Sequence, residues 1–166
     1  MSALKEKLGK KIEEWRPRTT RLLKEFGNVK IDEVDIGQVI GGARDIKSLV
    51  TDISYLDPFE GIRFRGLTIP EVMEKLPKVP GGEMPYVEGF FYFLLTGEIP
   101  SEADVKEVAE EFKKRSAIPK YVLDVLRAMP NDSHPMVMFS TAILAMQRES
   151  VFVKEYNSGK LKKNDY

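Results

Sequence analysis

The chain has 166 residues, 42% hydrophobic and 31% charged, a composition that suits a globular domain with a real core. Its 26 Lys and Arg balance its 26 Asp and Glu, which argues against holding a nucleic-acid backbone by bulk charge. There is no cysteine and one histidine, so disulfides, thiolate metal sites and a Cys nucleophile are excluded, and imidazole chemistry is confined to His134.

The N-terminal stretch has no apolar signal core and carries Glu6, Glu13 and Glu14 early, so it reads as mature cytoplasmic sequence. No run approaches the ~18 uninterrupted apolar residues of a membrane span, and neither membrane nor nucleic acid is an expected partner. Leu4, Leu8, Ile12 and Trp15 recur at helical spacing and predict an amphipathic helix over 3–15. Pro17 predicts a break, with a second short helix over 18–26 that stops at Gly27. Lys10, Lys11, Arg16, Arg18, Arg21 and Lys24 are interleaved with glutamates and read as a solvated face. Val29–Ile31 reads as a short strand, and Asp35 as the cap of one helical turn over 36–40. Gly41-Gly42-Ala43-Arg44 follows. Paired glycines permit positive φ, and an arginine after them could shape an anion site, although on physics alone a plain turn accounts for them.

Leu49, Ile53 and Tyr55 read as a strand that pairs with 62–65 across an Asp57-Pro58-Phe59-Glu60-Gly61 turn. Alternation puts Ile62 and Phe64 on one face of this hairpin, with Arg63 and Arg65 on the other. Thr68 and Glu71 form a capping box for a short helix that ends before Pro77. Tyr86–Thr96, closed by Gly97, is apolar all round and reads as a buried central helix. Ser101 and Asp104 cap a helix over 102–115, and another helix spans 120–128. The last helix is predicted from Pro135 to about Tyr156, and its first half is apolar or small on nearly every face. Such a helix must be buried on all sides, which points to another subunit as its cover. The chain then ends in a basic tail, Lys160 to Tyr166. The fold class is mainly α, multi-helical, with one small antiparallel β-hairpin.

Little chemistry is available. No nucleophile-elbow pattern surrounds a serine, and no His-x-x-x-His or Glu-x-x-His exists, so no metal site is expected. His134 before Pro135 reads as a helix-start residue bonded to nearby backbone. The residues alone yield no complete active site.

Leu56-Asp57-Pro58-x-Glu60-Gly61-Ile62-Arg63-Phe64-Arg65-Gly66, followed by Ile69-Pro70-Glu71, resembles the N-terminal signature of the citrate synthase family in its mitochondrial-type branch. Gly41-Gly42-x-Arg44, Leu76-Pro77-Lys78 with Gly81-Gly82-Glu83, Glu88-Gly89, Leu94-Leu95-x-Gly97-x-Ile99-Pro100, Lys114-Arg115 with Pro119, and His134-Pro135-Met136 continue the resemblance in order over residues 3–166. It implies that residues 1–166 are the N-terminal part of the family's helical large domain, without the small domain and the catalytic C-terminal half. The whole enzyme would condense acetyl-CoA with oxaloacetate and water to citrate and CoA, in the tricarboxylic acid cycle. It would be a homodimer with no cofactor, since acetyl-CoA is a substrate.

The resemblance carries no catalytic residue onto this chain, and the isolated chain is expected to be inactive. It carries over two CoA-binding residues, Arg44 and Lys162, and it makes the Pro135–Tyr156 helix part of the dimer interface. Lys162 stands where the family has arginine, which keeps the charge and loses the bidentate fork. The expected location is cytoplasmic, or the mitochondrial matrix for the mature form of a eukaryotic enzyme. The competing reading is a non-catalytic helical module for oligomerisation or CoA binding.

Overall fold

A computed structural model describes residues 3–43, 45–47, 50–159 and 161. They divide into two compact units, 1–112 and 113–166. The first opens on α1 (Ala3–Phe26), a single 24-residue helix that runs through Pro17. The predicted break is therefore absent. Proline's φ is already helical, and the one amide bond it deletes falls on an exposed stretch where water can serve the freed carbonyl. Thr19 Oγ1 donates to the Trp15 carbonyl, and Arg21 pairs with Glu25 at 3.0 Å, which supports the helix beyond the proline. The strand predicted at Val29–Ile31 is not formed.

α2 (Ile36–Ile40) follows Asp35, whose carboxylate accepts from the Gln38 amide. Next comes a three-stranded antiparallel meander, β1 (Ser54–Asp57), β2 (Gly61–Phe64) and β3 (Leu67–Thr68). The pairs run from Ser54↔Phe64 to Asp57↔Gly61, then Phe64↔Leu67. Leu49, expected to open the first strand, lies outside the described residues. The turn between β1 and β2 is built by Asp57, whose Oδ1 accepts from the Phe59 and Glu60 amides at 2.8 and 2.9 Å.

The second connection departs from the expected hairpin. Arg65 (φ 49°) and Gly66 (φ 84°) are both left-handed, the two-residue type I′ loop that suits the twist of paired strands. β2 thus stops at Phe64, and Arg65 leaves the face that Arg63 occupies. The continuous cationic face predicted from alternation does not exist. Arg63 instead pairs with Glu60 at 2.7 Å and donates to the Gly66 carbonyl.

β3 runs straight into α3 (Ile69–Lys75) through the Thr68–Glu71 capping box. α4 (Val87–Thr96) ends at Gly97, whose φ of 73° is the left-handed helix stop. α5 (Glu102–Lys114) begins at Ser101, whose hydroxyl and amide both donate to Asp104. The core lies on two sides of α4. On one side Phe93 meets Val72 and Leu76, with Phe64, Leu67 and Phe90 packed around them and Phe64 edge-on to Phe90 at 5.0 Å. On the other, Tyr92 and Thr96 are buried, as are Val105 and Val108 of α5, and a Cβ at Gly89 would lie 3.2 Å from Val105 Cγ2. α4 is the central buried helix its composition implied.

The second unit holds α6 (Lys120–Ala128), α7 (Pro135–Ala145), a 3₁₀ turn (Met146–Glu149) and α8 (Val151–Asn157). The continuous helix expected from Pro135 to Tyr156 is broken at Ser150, where ψ is 119° and the axis turns by 52°. Ser150 Oγ accepts from the Val153 amide, so the serine serves as a cap and starts a new helix. Val122 is buried, and Tyr121 Oη donates to the Ala145 carbonyl. α7 buries none of its residues, and Met136, Val137, Phe139, Ile143 and Leu144 are all more than half exposed. Among the described residues no single helix is long and apolar enough to cross a membrane.

Two outcomes follow from this packing. Phe93→Ala should cost about 3–5 kcal/mol in chemical denaturation by removing the centre of the α3–α4 core; a loss below 1 kcal/mol, on the order of a surface change, would contradict it. The second outcome concerns acid. Hydrogen bonds from Lys7 and then Lys11 hold the Glu98 carboxyl below its ordinary value, and Asp57, Glu71 and Asp104 are lowered by their turn and capping bonds. A carboxyl depressed by folding stabilises above its unfolded pKa and loses that effect as pH falls through the folded value. The melting temperature should therefore drop below about pH 4, and less steeply in Glu98→Gln. An identical acid slope in that variant would exclude the Glu98 contribution.

Candidate functional site

The Gly-Gly-x-Arg loop follows α2 directly in the chain and precedes β1. α2 closes with a complete set of terminal bonds. The Gly42 amide donates to the Val39 carbonyl, and the Ala43 amide reaches back to the Gln38 carbonyl at 2.9 Å. These are the paired bonds of a Schellman closure, and they require the residue after the C-cap to be left-handed. Gly42, with φ 82°, fills that position. The glycine pair is thus explained by the helix end alone. Ala43 (φ 61°) and Asp45 (φ 59°) are also left-handed, and the Ile46 amide donates to the Ala43 carbonyl. Gly41, Gly42, Ala43 and Asp45 are exposed, and α2 buries none of its residues. Arg44 itself, like Lys162, lies outside the described residues.

His134 caps α7. Its Nδ1 accepts from the Met136 amide at 3.1 Å, which fixes the acceptor nitrogen and leaves Nε2 as the exposed edge. That is the helix-start role read from His-Pro. Among the described residues no group of three His, Asp or Glu side chains could hold a metal ion.

The residue that sequence reasoning underestimated is Arg65. Its side chain is 6% exposed. Nε and Nη2 both donate to the Leu94 carbonyl, at 2.9 and 2.6 Å, and Nη2 also donates to Leu95 at 3.1 Å. Nη1 lies 3.3 Å from Asp52 Oδ1 and 3.5 Å from the Asp52 carbonyl, and the guanidinium stacks 4.9 Å above the Trp15 ring. The cation thus neutralises the negative end of α4 and stacks on α1. The available signal was Arg65-Gly66 directly before Leu67-Thr68, a two-residue loop that takes the arginine off the strand.

A second charged cluster is internally paired. Glu98 receives Lys7 at 2.7 Å and Lys11 at 3.0 Å, and Lys7 also stands 5.2 Å over the Tyr92 ring. The Glu98 hydrogen bond, followed by Tyr92, holds the Lys7 ammonium above its ordinary value, so it stays protonated and is no base. A separate cavity of about 310 Å³ is lined by Phe64, Met73, Met84, Tyr86, Val87 and Phe90 among others. Its surface is almost wholly apolar, so it offers no group to orient a polar substrate.

The comparisons with known proteins bear on the whole chain. The family model described as "Citrate synthase, C-terminal domain" matches residues 42–165. The mitochondrial citrate synthase of Emericella nidulans is 47% identical over 164 residues, covering 99% of this chain and 34% of that protein. The Aspergillus niger enzyme of the same name is 46% identical over the same shares. The mitochondrial 2-methylcitrate synthase of Yarrowia lipolytica is 46% identical, over 96% of this chain and 34% of its own length. The chain spans about a third of the length of the curated relatives it matches. These relatives are named as mitochondrial, and nothing in the comparisons supports the expected cytoplasmic location. A match over most of the chain, with relatives well above 40% identity along nearly all of it, makes this chain a member of the citrate synthase family.

Proposed function

We propose that this chain is the N-terminal part of an enzyme that condenses acetyl-CoA with oxaloacetate and water, releasing citrate and CoA. The observation that carries this reading is the 47% identity over 99% of the chain to a citrate synthase. The N-terminal placement rests on the order of the motifs from Gly41-Gly42-x-Arg44 to His134-Pro135-Met136, whereas the matching family model is labelled a C-terminal domain. The condensation needs a base to take a methyl proton from the thioester, donors to hold the resulting enol, and cationic groups for the dicarboxylate. Among the described residues no such set is brought together. The chain's one histidine is a helix cap, and its buried arginine is committed to carbonyls. Catalysis therefore belongs to the rest of the enzyme, and the isolated chain is inactive.

Within the whole enzyme we assign Arg44 to a phosphate of CoA, with Lys162 contributing from the partner subunit. The exposure of the neighbouring Gly41, Gly42, Ala43 and Asp45 supports the first assignment. We take the acyl donor to be acetyl-CoA rather than its propionyl homologue, and the location to be the mitochondrial matrix, after the Emericella and Aspergillus enzymes. The exposed apolar residues of α7 support a homodimer in which this helix is covered by the partner.

Thiol release should be absent when the 166-residue chain is given acetyl-CoA and oxaloacetate, and present for a protein extended to the relatives' full length. Turnover by the short chain alone would defeat the reading. In sedimentation of the full-length enzyme, Leu144→Asp should shift the dimer toward monomer by placing a charge on the α7 face. An unchanged dimer would remove α7 from the interface.

A further inference from the structure

α1 is 24 residues long and buries none of them. Leu4, Leu8 and Trp15 are half-buried and Ile12 is exposed, so the stripe that the sequence offers as a packing face is not sunk into a core. A row of polar attachments runs along one side of the helix instead. The Ala3 amide donates to Glu107 Oε1 of α5. Lys7 and Lys11 both reach Glu98, just past the end of α4, at 2.7 and 3.0 Å, and the Lys7 ammonium also stands over the Tyr92 ring. Trp15 lies under the Arg65 guanidinium. Positions 3, 7, 11 and 15 follow one another every four residues, the spacing that keeps side chains on the same side of a helix.

Attachment by charge and attachment by burial respond differently to the solvent. The side chains of Lys7, Lys11 and Glu98 are 39%, 22% and 39% exposed, within reach of dissolved ions. Salt screens such pairs, whereas the Val72, Leu76 and Phe93 core beside them contains no charge to screen. Once off the unit, α1 has little to keep it helical. Pro17 divides it into halves no longer than the about 12–15 residues at which an isolated helix is marginal.

We propose that α1 is a salt-sensitive strap, which lifts from α4 and α5 as a separate unit while the α3–α4 core stays closed. Lifting takes the Trp15 ring off the Arg65 guanidinium and lets water reach a cation that is otherwise enclosed. The lysine pairs on Glu98 set how often this happens. No part of the device depends on the reaction that the whole enzyme performs.

The test is native-state hydrogen exchange of the full-length synthase carrying this segment, parent and Glu98→Gln, at about 0.1 M and about 1 M KCl, where the screening length falls from about 10 Å to about 3 Å. In the parent, amides 8–15 of α1 should exchange about fivefold faster at the higher salt, the effect of weakening two part-exposed ion pairs. Glu98→Gln should show that acceleration already at the lower salt and change little when salt is added. Lys7→Met, which removes one of the two cations, should accelerate the same amides by a smaller factor. The Phe90 amide, bonded to the Tyr86 carbonyl in α4, should stay within about twofold throughout. Loss of protection at Phe90 in step with α1 would make the helix part of the core unit and overturn the proposal. So would α1 protection that neither salt nor the variants change, and so would a salt effect that Glu98→Gln leaves intact.

Discussion

The guanidinium of Arg65 lies almost wholly out of water, enclosed by the carbonyls of Leu94, Leu95 and Asp52 and by the Trp15 ring. A buried cation is tolerable only when its donors are used, and removing it would leave the last carbonyls of α4 without partners. This one side chain therefore joins three parts of the first unit that are distant in sequence. It completes the end of the central helix, covers part of α1, and fastens the segment that enters the sheet. It can do so only because Arg65 and Gly66 form a type I′ loop, which swings the arginine away from the strand face it would otherwise share with Arg63. Breaking the loop geometry and deleting the guanidinium are two routes to the same loss, on the order of 3 kcal/mol.

The rest of the unit follows from α4. A ten-residue helix with Phe90 and Phe93 toward the sheet and α3, and Gly89 and Tyr92 toward α5, needs both flanks to be covered. The capping boxes at Thr68 and Ser101 start those flanking helices at fixed points, and Gly97 ends α4 sharply enough for the chain to turn toward α5. The second unit has a different balance. Val122 anchors it internally, yet α7 leaves five large apolar side chains in water. A membership that covers a third of its relatives' length fits such a surface, since a part of a larger assembly displays faces that the whole assembly buries.

Helix positions were legible where periodicity and caps agree, as at Thr68-x-x-Glu71, Ser101-x-x-Asp104 and Asp35. Three features were not. Pro17 looked like a stop, but an exposed helix can lose one amide bond and continue. Ser150 looked like a helix-interior residue, but its hydroxyl competes for a backbone amide and starts a new helix. Arg65 looked like the next residue of a strand, because a period of two cannot show where the strand ends. The candidate loop was legible through its motif, yet the motif did not reveal why glycine stands at position 42. The bonds from Gly42 and Ala43 to Val39 and Gln38 answer that locally.

Native-state hydrogen exchange of Arg65→Met against the parent tests the central claim most directly. The reporters are the Gly97 amide, bonded to the Phe93 carbonyl at the end of α4, and the amide of residue 65 itself, bonded to the Ile53 carbonyl. If one buried cation couples the two places, both amides lose protection together, while the amide of Glu71, within the Thr68 capping box, keeps its own. Protection lost at only one of the two amides, or at neither, would contradict the coupling.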